Sequence, residues 1–312
     1  MHILVTGGCG YTGTILTNDL IHLGHKVTVV DIQWFGNYLK HEKNLTVLKF
    51  DIRDYQKIPF KNVDTVVHLA NIANDPGVEL NPKLSWEVNV FATQKLIESA
   101  IRNKVKQFIF ASSGSVYGVK KEKEVTEDLS LVPITTYNKT KMISERILKS
   151  YENDIKFHCI RPATVCGFSP RMRLDVSVNM FAFQAIKFKS MSVFGGEQIR
   201  PNIHIQDLIN VYKHFIINSD LPGGFYNAGF ENLKIIEVAR KVAKIIPSKI
   251  VIKENNDPRS YRQNSDKLLS TGFKPKFTVN DAIKDLKNSY ESKKFTESDK
   301  CYTVKWMKEL NL

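Results

Sequence analysis

Tyr137 and Lys141 are the pair of side chains in this sequence with the clearest capacity for acid–base chemistry. They lie four positions apart in a stretch whose apolar residues have helical spacing, so both side chains are expected on one helix face. A nearby ammonium group favours the phenolate, so Lys141 is expected to lower the pKa of Tyr137 from its usual value of about 10. The pair alone is a weak signal, because Tyr-x-x-x-Lys is common on helix surfaces. Its meaning depends on what precedes it.

A serine-rich stretch, Ser112–Ser115, lies upstream of this pair and directly follows the apolar run Lys106–Ala111. That run predicts a buried strand, and the serines fall where the strand ends. Strands and helices alternate along this half of the chain, so the serines and the Tyr137 helix are expected at the same edge of a sheet. The sequence therefore predicts that Ser113 and Tyr137 lie close together.

The stretch His2–Gly13 predicts the other part of such a site, a strand, a tight turn and a helix. An apolar run, Ile3–Val5, is followed by Gly7, Gly10 and Gly13 and then by apolar residues at helical spacing. Glycines allow the backbone to approach a pyrophosphate closely, and the helix N-terminus offers free N–H donors to the phosphates. The sequence predicts a dinucleotide site at this turn.

Asp31 indicates which dinucleotide is bound. It ends the second predicted strand, Lys26–Asp31, at about the distance from the glycines at which an acid accepts hydrogen bonds from the adenosine ribose. A carboxylate there repels a 2′-phosphate, which favours NAD over NADP. Gly24 is predicted to cap the helix between these two strands.

The pattern of elements predicts an α/β fold, a Rossmann-type doubly wound parallel sheet with a smaller mixed α/β C-terminal substrate lobe. Further strands are predicted over Leu45–Phe50, Val63–Leu69 and Ile155–Ile160, and a helix runs from Asn81 to about Arg102. The regular alternation ends near residue 166. The predicted domains are therefore residues 1–165, with return segments near 200–230, and residues 166–312, interleaved with the first. Leu174–Phe188 has helical spacing, and Gly224–Ala228 is predicted as a strand that rejoins the first sheet.

Composition excludes several classes of protein. The chain has 312 residues with 42% hydrophobic and 25% charged residues, and no apolar run reaches the roughly 18 residues of a membrane helix. It starts directly in a strand without a leader pattern, so a cytoplasmic location is expected.

The four cysteines show no zinc-like spacing, so buried thiols and no metal site are predicted. The net charge of +13 is scattered, which favours a solvated surface over a nucleic-acid site.

The ordered motifs resemble those of the extended short-chain dehydrogenases/reductases, in particular the NAD-dependent nucleotide-sugar epimerase/dehydratase group, over nearly the full chain. The residues that support this resemblance are Thr6-Gly7-Gly8-x-Gly10-Tyr11-x-Gly13, Asp31, Asp51-Ile52, His68-Leu69-Ala70, Asn89, Ser112-Ser113, Val116-Tyr117-Gly118, Tyr137 with Lys141, and Arg161-Pro162.

The resemblance implies a role for each matching residue. Tyr137 would be the general acid/base, Lys141 would hold the nicotinamide ribose, and Ser113 would bond the reacting sugar oxygen. The cofactor residues implied by the motifs are Gly7, Gly10, Tyr11, Thr12, Gly13, Asp31, Asp51, Ile52, Leu69 and Ala70, together with Tyr137 and Lys141. His68 is interpreted as structural, and Asn89 as structural and near the active site.

A nucleotide diphosphate needs cationic, bidentate donors, which arginine supplies. By position in the family pattern, Arg200 and Arg259 are predicted to bind it, with Asn179 alongside and Arg262 as a competitor to Arg259. Arg171 and Arg173 are placed facing either substrate or solvent. Thr164 stands where family members often have Asn, which weakens one predicted phosphate contact.

These features together predict an NAD-dependent nucleoside-diphosphate-sugar epimerase that acts through a 4-keto intermediate, as a homodimer. Sugar 4-dehydrogenation and 4-keto reduction remain alternatives, and an NAD- or RNA-binding scaffold is a more remote one. Dehydration is disfavoured, because Gly114 and Ser115 occupy the positions where dehydratases carry an Asp-Glu pair. The base and the sugar are not identified by these residues.

Overall fold

The computed structural model describes residues 1–254 and 260–312. Its first lobe is a sheet of seven parallel strands, with β10, β6, β5, β4, β1, β2 and β3 in spatial order. These strands are β1 His2–Thr6, β2 Lys26–Asp31, β3 Leu45–Lys49, β4 Thr65–His68, β5 Gln107–Ala111, β6 Lys156–Pro162 and β10 Gly224–Ala228. Ile3, Leu4 and Val5 of β1, an inner strand, are fully buried, as expected for a parallel sheet covered on both faces.

Helices cover both faces of this sheet. On one face, α1 and α7 pack against each other over an apolar cluster that contains Ile3 and Val5. The other face carries α3, α4 and α5 over a cluster that contains Leu4. The helices of this lobe are α1 Tyr11–His22, α2 Asp75–Val78, α3 Pro82–Trp86, α4 Ala92–Arg102, α5 Thr136–Ser150 and α7 Ile205–Ile217. The predicted doubly wound Rossmann-type fold is confirmed.

The strand order reverses direction between β1 and β4, and this reversal creates a crevice at their carboxyl ends. Thr6 closes β1 there, and its carbonyl accepts a 2.9 Å hydrogen bond from the N–H of Leu69, just past β4. The glycine turn after β1 and the loop after β4 therefore face the same crevice. In parallel sheets of this kind, such a crevice is where ligands bind.

The second lobe is a mixed α/β structure around its own apolar cluster, which includes Phe181, Ile236 and Ile283. A three-stranded sheet runs β11–β9–β7, and β8 pairs with β12. Its elements are β7 Thr164–Cys166, α6 Ser177–Phe188, β8 Ser190–Phe194, β9 Ile199–His204, β11 Glu231–Lys234, α8 Ile235–Ile245, β12 Lys249–Lys253 and α10 Val279–Glu291. Helices α9 Asp266–Leu269 and α11 Thr303–Glu309 also lie in this part of the chain, but they bury Leu268 and Met307 in the two apolar clusters of the first lobe. None of the helices in the described ranges combines the length and apolar composition that crossing a membrane requires.

The chain returns to the first sheet after β9 and α7. Strand β10 lies parallel to β6, with Gly224 opposite His158 and Ala228 opposite Pro162. The two lobes are thus interleaved along the sequence, and β7 begins the second lobe directly after β6.

Two helices differ from their predicted form. The helix expected from Leu174 begins at Ser177, because Leu174 donates its N–H to the distant carbonyl of Cys301 and keeps the preceding loop extended. The helix expected from Asn81 to Arg102 contains a π-helical turn over Glu87–Phe91 between α3 and α4. Asn81 caps its start by accepting a hydrogen bond from the N–H of Leu84.

Candidate active site

The glycine turn between β1 and α1 is shaped by steric exclusion of side chains. Gly7 has a φ of +76°, and a Cβ at this position would lie 2.5 Å from the backbone nitrogen of Ala70. A Cβ on Gly13 would lie 2.1 Å from the carbonyl oxygen of Gly7. Gly10 precedes α1 with no side-chain cap, so the first N–H groups of the helix remain available to an anion. The turn therefore fits a dinucleotide pyrophosphate.

Asp31 is held in a fixed orientation at the end of β2. Its two carboxylate oxygens accept hydrogen bonds from the backbone N–H groups of Cys9, at 2.9 Å, and Gln33, at 2.7 Å. Burial raises the pKa of Asp31, while these two hydrogen bonds and the charge of Arg171 lower it. Burial also raises the pKa of the Cys9 thiol to about 12, which makes this thiol a poor nucleophile.

A single cleft of about 530 Å³ joins the glycine turn to the predicted acid–base pair. Its walls contain every predicted cofactor residue: Gly7, Gly10, Tyr11, Thr12, Gly13, Asp31, Asp51, Ile52, Leu69 and Ala70. The same cleft is lined by Ser113, Tyr137 and Lys141. The structure thus brings the predicted binding and acid–base residues into one cleft.

Ser113 is held by the turn that follows β5. It caps a 3-10 turn over Gly114–Tyr117, and its hydroxyl lies 2.8 Å from that of Ser115. Ser115 in turn donates a 2.6 Å hydrogen bond to the side-chain oxygen of Asn138, the neighbour of Tyr137. Ser115 therefore links the serine turn to the Tyr137 helix. From the sequence, Ser115 is recognisable only as a residue that replaces a dehydratase acid.

Lys141 lines the cleft but is almost fully buried. Its ammonium group donates a 2.7 Å hydrogen bond to the carbonyl oxygen of Ala111 and lies 4.8 Å from the ring centroid of Phe110. Burial lowers the pKa of Lys141 to about 7, although the charge of Glu145 acts in the opposite direction. A proton on this side chain is therefore exchangeable near neutral pH.

The pKa of Tyr137 differs from the sequence-based expectation. Burial, together with the negative charge of Asp75, raises it to about 12. A hydrogen-bonding interaction with Ser113 and the charge of Arg173 act in the opposite direction. The sequence predicts a lowered pKa for Tyr137 because of Lys141. In the structure, desolvation of the phenolate has the larger effect and raises this pKa, and the cation that favours ionisation of Tyr137 is Arg173.

Two buried polar side chains join the Tyr137 helix, α5, to the π-helical turn between α3 and α4. Asn89 bonds both the N–H and the carbonyl of Ile72, and its amide reaches the Thr140 hydroxyl at 3.2 Å. Ser144 donates a 2.7 Å hydrogen bond to the carbonyl of Asn89. These contacts fit the structural role expected for Asn89. His68 is also hydrogen-bonded on both sides within the core, by Thr6 and Thr93.

A buried ion pair beneath the site was not anticipated from the sequence. Arg161 and Glu145 form two hydrogen bonds, at 2.7 and 3.0 Å, and both side chains are almost fully buried. Glu145 also accepts a 2.5 Å hydrogen bond from Ser112, and Arg161 donates to the hydroxyl of Tyr117 at 2.8 Å. The pair connects α5, β6 and the serine turn, so it fixes Ser113 relative to Tyr137.

Of the residues predicted to bind a diphosphate, some line the cleft and others do not. Arg200, on β9, lines the cleft. Asn179 does not; its amide is engaged with Gly167, Tyr11 and the carbonyl of Arg173. Arg262 is exposed and is absent from the cleft wall. Arg259 lies outside the described residues.

Arg171 and Arg173, which the sequence placed facing either substrate or solvent, both line the cleft. The guanidinium carbon of Arg171 lies 3.9 Å from the ring centroid of Phe35, and within the described ranges its Nε and Nη1 have no hydrogen-bond partner. Burial lowers the pKa of Arg171 to about 10. A buried cation with unused donors is costly unless a ligand anion compensates it, so this arginine fits a phosphate-bearing cofactor.

Fold and site together define a class of protein: an α/β enzyme with a dinucleotide site at the switch point of a parallel sheet and a tyrosine–lysine pair beside it. The chain belongs to the NAD dependent epimerase/dehydratase family, whose model matches residues 3–229. The family is NAD-dependent, which confirms the predicted cofactor and the predicted family.

Individual relatives cover nearly the whole chain. The UDP-glucose 4-epimerase of Lactobacillus helveticus is 29% identical over an alignment 316 residues long, which covers 91% of this chain and 95% of the relative. UDP-glucuronic acid decarboxylase 1 of Danio rerio is 27% identical over 293 residues, covering 88% and 68% of the two chains. The crystal structure of Thermus thermophilus UDP-glucose 4-epimerase in complex with NAD has a TM-score of 0.81 at 23% identity, over 93% of this chain and 100% of that one. These similarities extend through both lobes.

Proposed function

We propose that this protein is an NAD-dependent nucleoside-diphosphate-sugar 4-epimerase that acts through a 4-keto intermediate. The observation that carries the proposal is the convergence of Ser113, Tyr137 and Lys141 on the cleft that also contains the glycine turn and Asp31. A binding scaffold would have no need for this acid–base set. The similarity to UDP-glucose 4-epimerases adds support.

Tyr137 is the proposed acid and base for the C4 hydroxyl of the sugar. Bound NAD would supply the hydride acceptor and donor for the sugar carbon, and its oxidised nicotinamide ring would carry a positive charge. Because the pKa of Tyr137 is raised by burial and by Asp75, positive charge near the phenol is needed for it to act as a base at neutral pH. Arg173 supplies part of that charge. Lys141 is proposed to hold the nicotinamide ribose.

Ser113 is proposed to hold the C4 oxygen while Tyr137 removes its proton. The 4-keto sugar then turns within the cleft and is reduced on its other face, and Tyr137 returns the proton. This cycle consumes no external oxidant or reductant. A 4-dehydrogenase with the same residues would instead release the keto sugar and would need another reaction to restore NAD.

The proposed substrates are UDP-sugars, because the relatives with the same organisation are named for UDP-glucose and UDP-glucuronic acid. Arg200 and Arg259 remain the proposed diphosphate ligands. Asn179 is proposed to act indirectly, since it holds the Gly167 backbone and the Tyr11 hydroxyl rather than the cleft wall.

A panel of UDP-, GDP-, dTDP- and CDP-sugars, including a uronic acid, separates the possible reactions. The purified protein is incubated with each sugar and NAD, and products are analysed by mass spectrometry and NMR. Unchanged mass with a new C4 isomer is the expected result. Loss of two hydrogens identifies a dehydrogenase, loss of water a dehydratase and loss of carbon dioxide a decarboxylase, and each of these products would replace the epimerase proposal.

Tyr137→Phe tests the mechanism separately. Removing the hydroxyl is expected to lower turnover by about 100-fold to 10,000-fold, the usual range for general acid–base catalysis, while NAD stays bound. Tyr151→Phe is the matched control, because Tyr151 follows the same helix and bonds Glu98 away from the cleft. Full activity in Tyr137→Phe would remove this residue from the mechanism.

A homodimer in the cytoplasm is proposed for the intact protein. Phe91, in the same π-helical turn as Asn89, is 58% exposed, and we propose that it lies in the dimer interface. Light scattering is expected to give the mass of a dimer for the parent protein and the mass of a monomer for Phe91→Lys.

The four cysteines are free, as is usual in a reducing compartment. Cell fractionation tests the location.

A further inference from the structure

We propose that helix α11, Thr303–Glu309, is part of the NAD site and controls how fast NAD leaves it. Thr303 and Met307 line the cleft and are only 4% and 2% exposed. They lie more than 150 residues beyond Lys141, which is the last residue that the motifs assign to the cofactor site. The helix therefore supplies a wall of the cleft that no motif assigns.

One end of α11 is bound to the loop before α6. The backbone N–H of Thr303 donates a 3.0 Å hydrogen bond to the carboxylate of Asp175, which pairs with Arg173 at 2.9 Å. Burial raises the pKa of Asp175, but Arg173 and Thr303 outweigh it and lower the value to about 2. The carboxylate thus stays charged at neutral pH and joins the helix to the arginine that favours ionisation of Tyr137.

The middle of α11 is bound to the loop after β2. The indole N–H of Trp306 donates a 2.6 Å hydrogen bond to the carbonyl of Trp34, three residues after Asp31. Trp34 and Phe35 line the cleft as well, on the side of Asp31. The hydrogen bond therefore links α11 to the segment that flanks the adenosine side of the NAD site.

Met307 adds an apolar contact to these two hydrogen bonds. It packs in the apolar cluster of the first lobe, where its sulfur would lie 3.6 Å from a Cβ built on Gly77 of α2. Three segments that line the cleft are therefore connected by one short helix: the loop after β2, the α2 segment and the Arg173–Asp175 loop. NAD held under this helix leaves only when these contacts open.

The outer face of α11 is solvated, with Lys305, Lys308 and Glu309 exposed. A seven-residue helix with few buried side chains can open locally without loss of the seven-stranded sheet. Slow release of this kind suits a redox-neutral reaction, in which the reduced cofactor must stay until the keto sugar is reduced. That benefit depends on the proposed epimerase function, but the attachment of α11 to the NAD site does not.

The experiment measures NAD(H) dissociation in the absence of any sugar. The protein is loaded with NADH, chased with excess NAD, and the loss of bound NADH fluorescence is followed by stopped flow. Trp306→Phe removes the indole donor but keeps a ring, and Met307→Ala removes the packing. Each is expected to speed release by roughly tenfold, the effect of losing one buried contact of about this strength.

Lys308→Ala is the matched control, since it changes an exposed residue of the same helix and is expected to release NADH at the parent rate. Thermal unfolding of each protein and the KM for the sugar are measured alongside, and both are expected to stay near parent values in Trp306→Phe. Parent release rates in both Trp306→Phe and Met307→Ala would overturn the proposal. Faster release without epimerase activity would preserve it and remove only the proposed function.

Discussion

The ammonium group of Lys141 lies 2.7 Å from the carbonyl oxygen of Ala111, the last residue of β5. This hydrogen bond ties the acid–base helix directly to the strand that delivers Ser113. It also keeps a potentially charged group in a buried position, where desolvation lowers the pKa of Lys141 to about 7. Positioning and pKa are thus two results of the same burial.

Stability of the NAD-free protein should depend on pH through Lys141. The folded protein releases this proton near pH 7, whereas the unfolded chain keeps it until its ordinary pKa of 10.5. Between these values the unfolded state binds more protons, so the free energy of unfolding rises with pH, by at most about 1.4 kcal/mol per pH unit. Urea unfolding from pH 7 to 9 should show this rise in the parent relative to Lys141→Met. Parallel curves for the two proteins would contradict it.

Gly13→Ala should abolish NAD binding. Its Cβ would lie 2.1 Å from the Gly7 carbonyl, so the phosphate turn must move, at a cost of about 1–3 kcal/mol in stability. Gly24→Ala is the control, because no heavy atom lies within 4 Å of its Cβ position and only its φ of +82° is strained. That strain should cost about 1–2 kcal/mol and leave NAD affinity unchanged. Calorimetric titration with NAD compares the two variants.

Arg171→Met should weaken NAD binding without lowering the stability of the NAD-free protein. Arg171 is a buried cation whose Nε and Nη1 lack partners in the described part of the chain, so an apolar side chain should keep or raise the melting temperature without NAD. NAD affinity should fall by about tenfold or more, because a charge-assisted contact is lost. Arg146→Met, at an exposed position of α5, changes the net charge equally and should alter neither quantity. A large loss of stability in Arg171→Met would show that the cation has a structural partner.

Glu145→Gln should destabilise the protein strongly. It leaves Arg161 buried without a full counter-charge, which typically costs about 3–5 kcal/mol. Glu152→Gln changes an exposed pair with Lys149 and should cost less than about 1 kcal/mol. Urea denaturation of both variants provides the measurement, and equal midpoints would show that the buried pair contributes little.

Several elements were predictable because their signals are local. Strand β2 has its predicted bounds, Lys26–Asp31, since an apolar run between a glycine cap and an acid leaves little choice of register. Gly24 has the positive φ expected of a C-terminal cap. The start of α6 was not predictable, because the hydrogen bond from Leu174 to Cys301 spans more than 120 residues and has no local signal.

In the candidate site, too, local features were predictable and long-range contacts were not. Glycine spacing, the Asp31 position and the Tyr137–Lys141 interval could all be recognised from the sequence, because each reflects the geometry of a few consecutive residues. Four features of the site could not be recognised in this way: the direction of the Tyr137 pKa shift, the two Arg171 nitrogens that lack a partner within the described ranges, the hydrogen bonds of Asn179 and the place of Met307 in the cleft wall. They depend on burial and on neighbours far apart in the chain, which exist only once the two lobes have packed around the cleft.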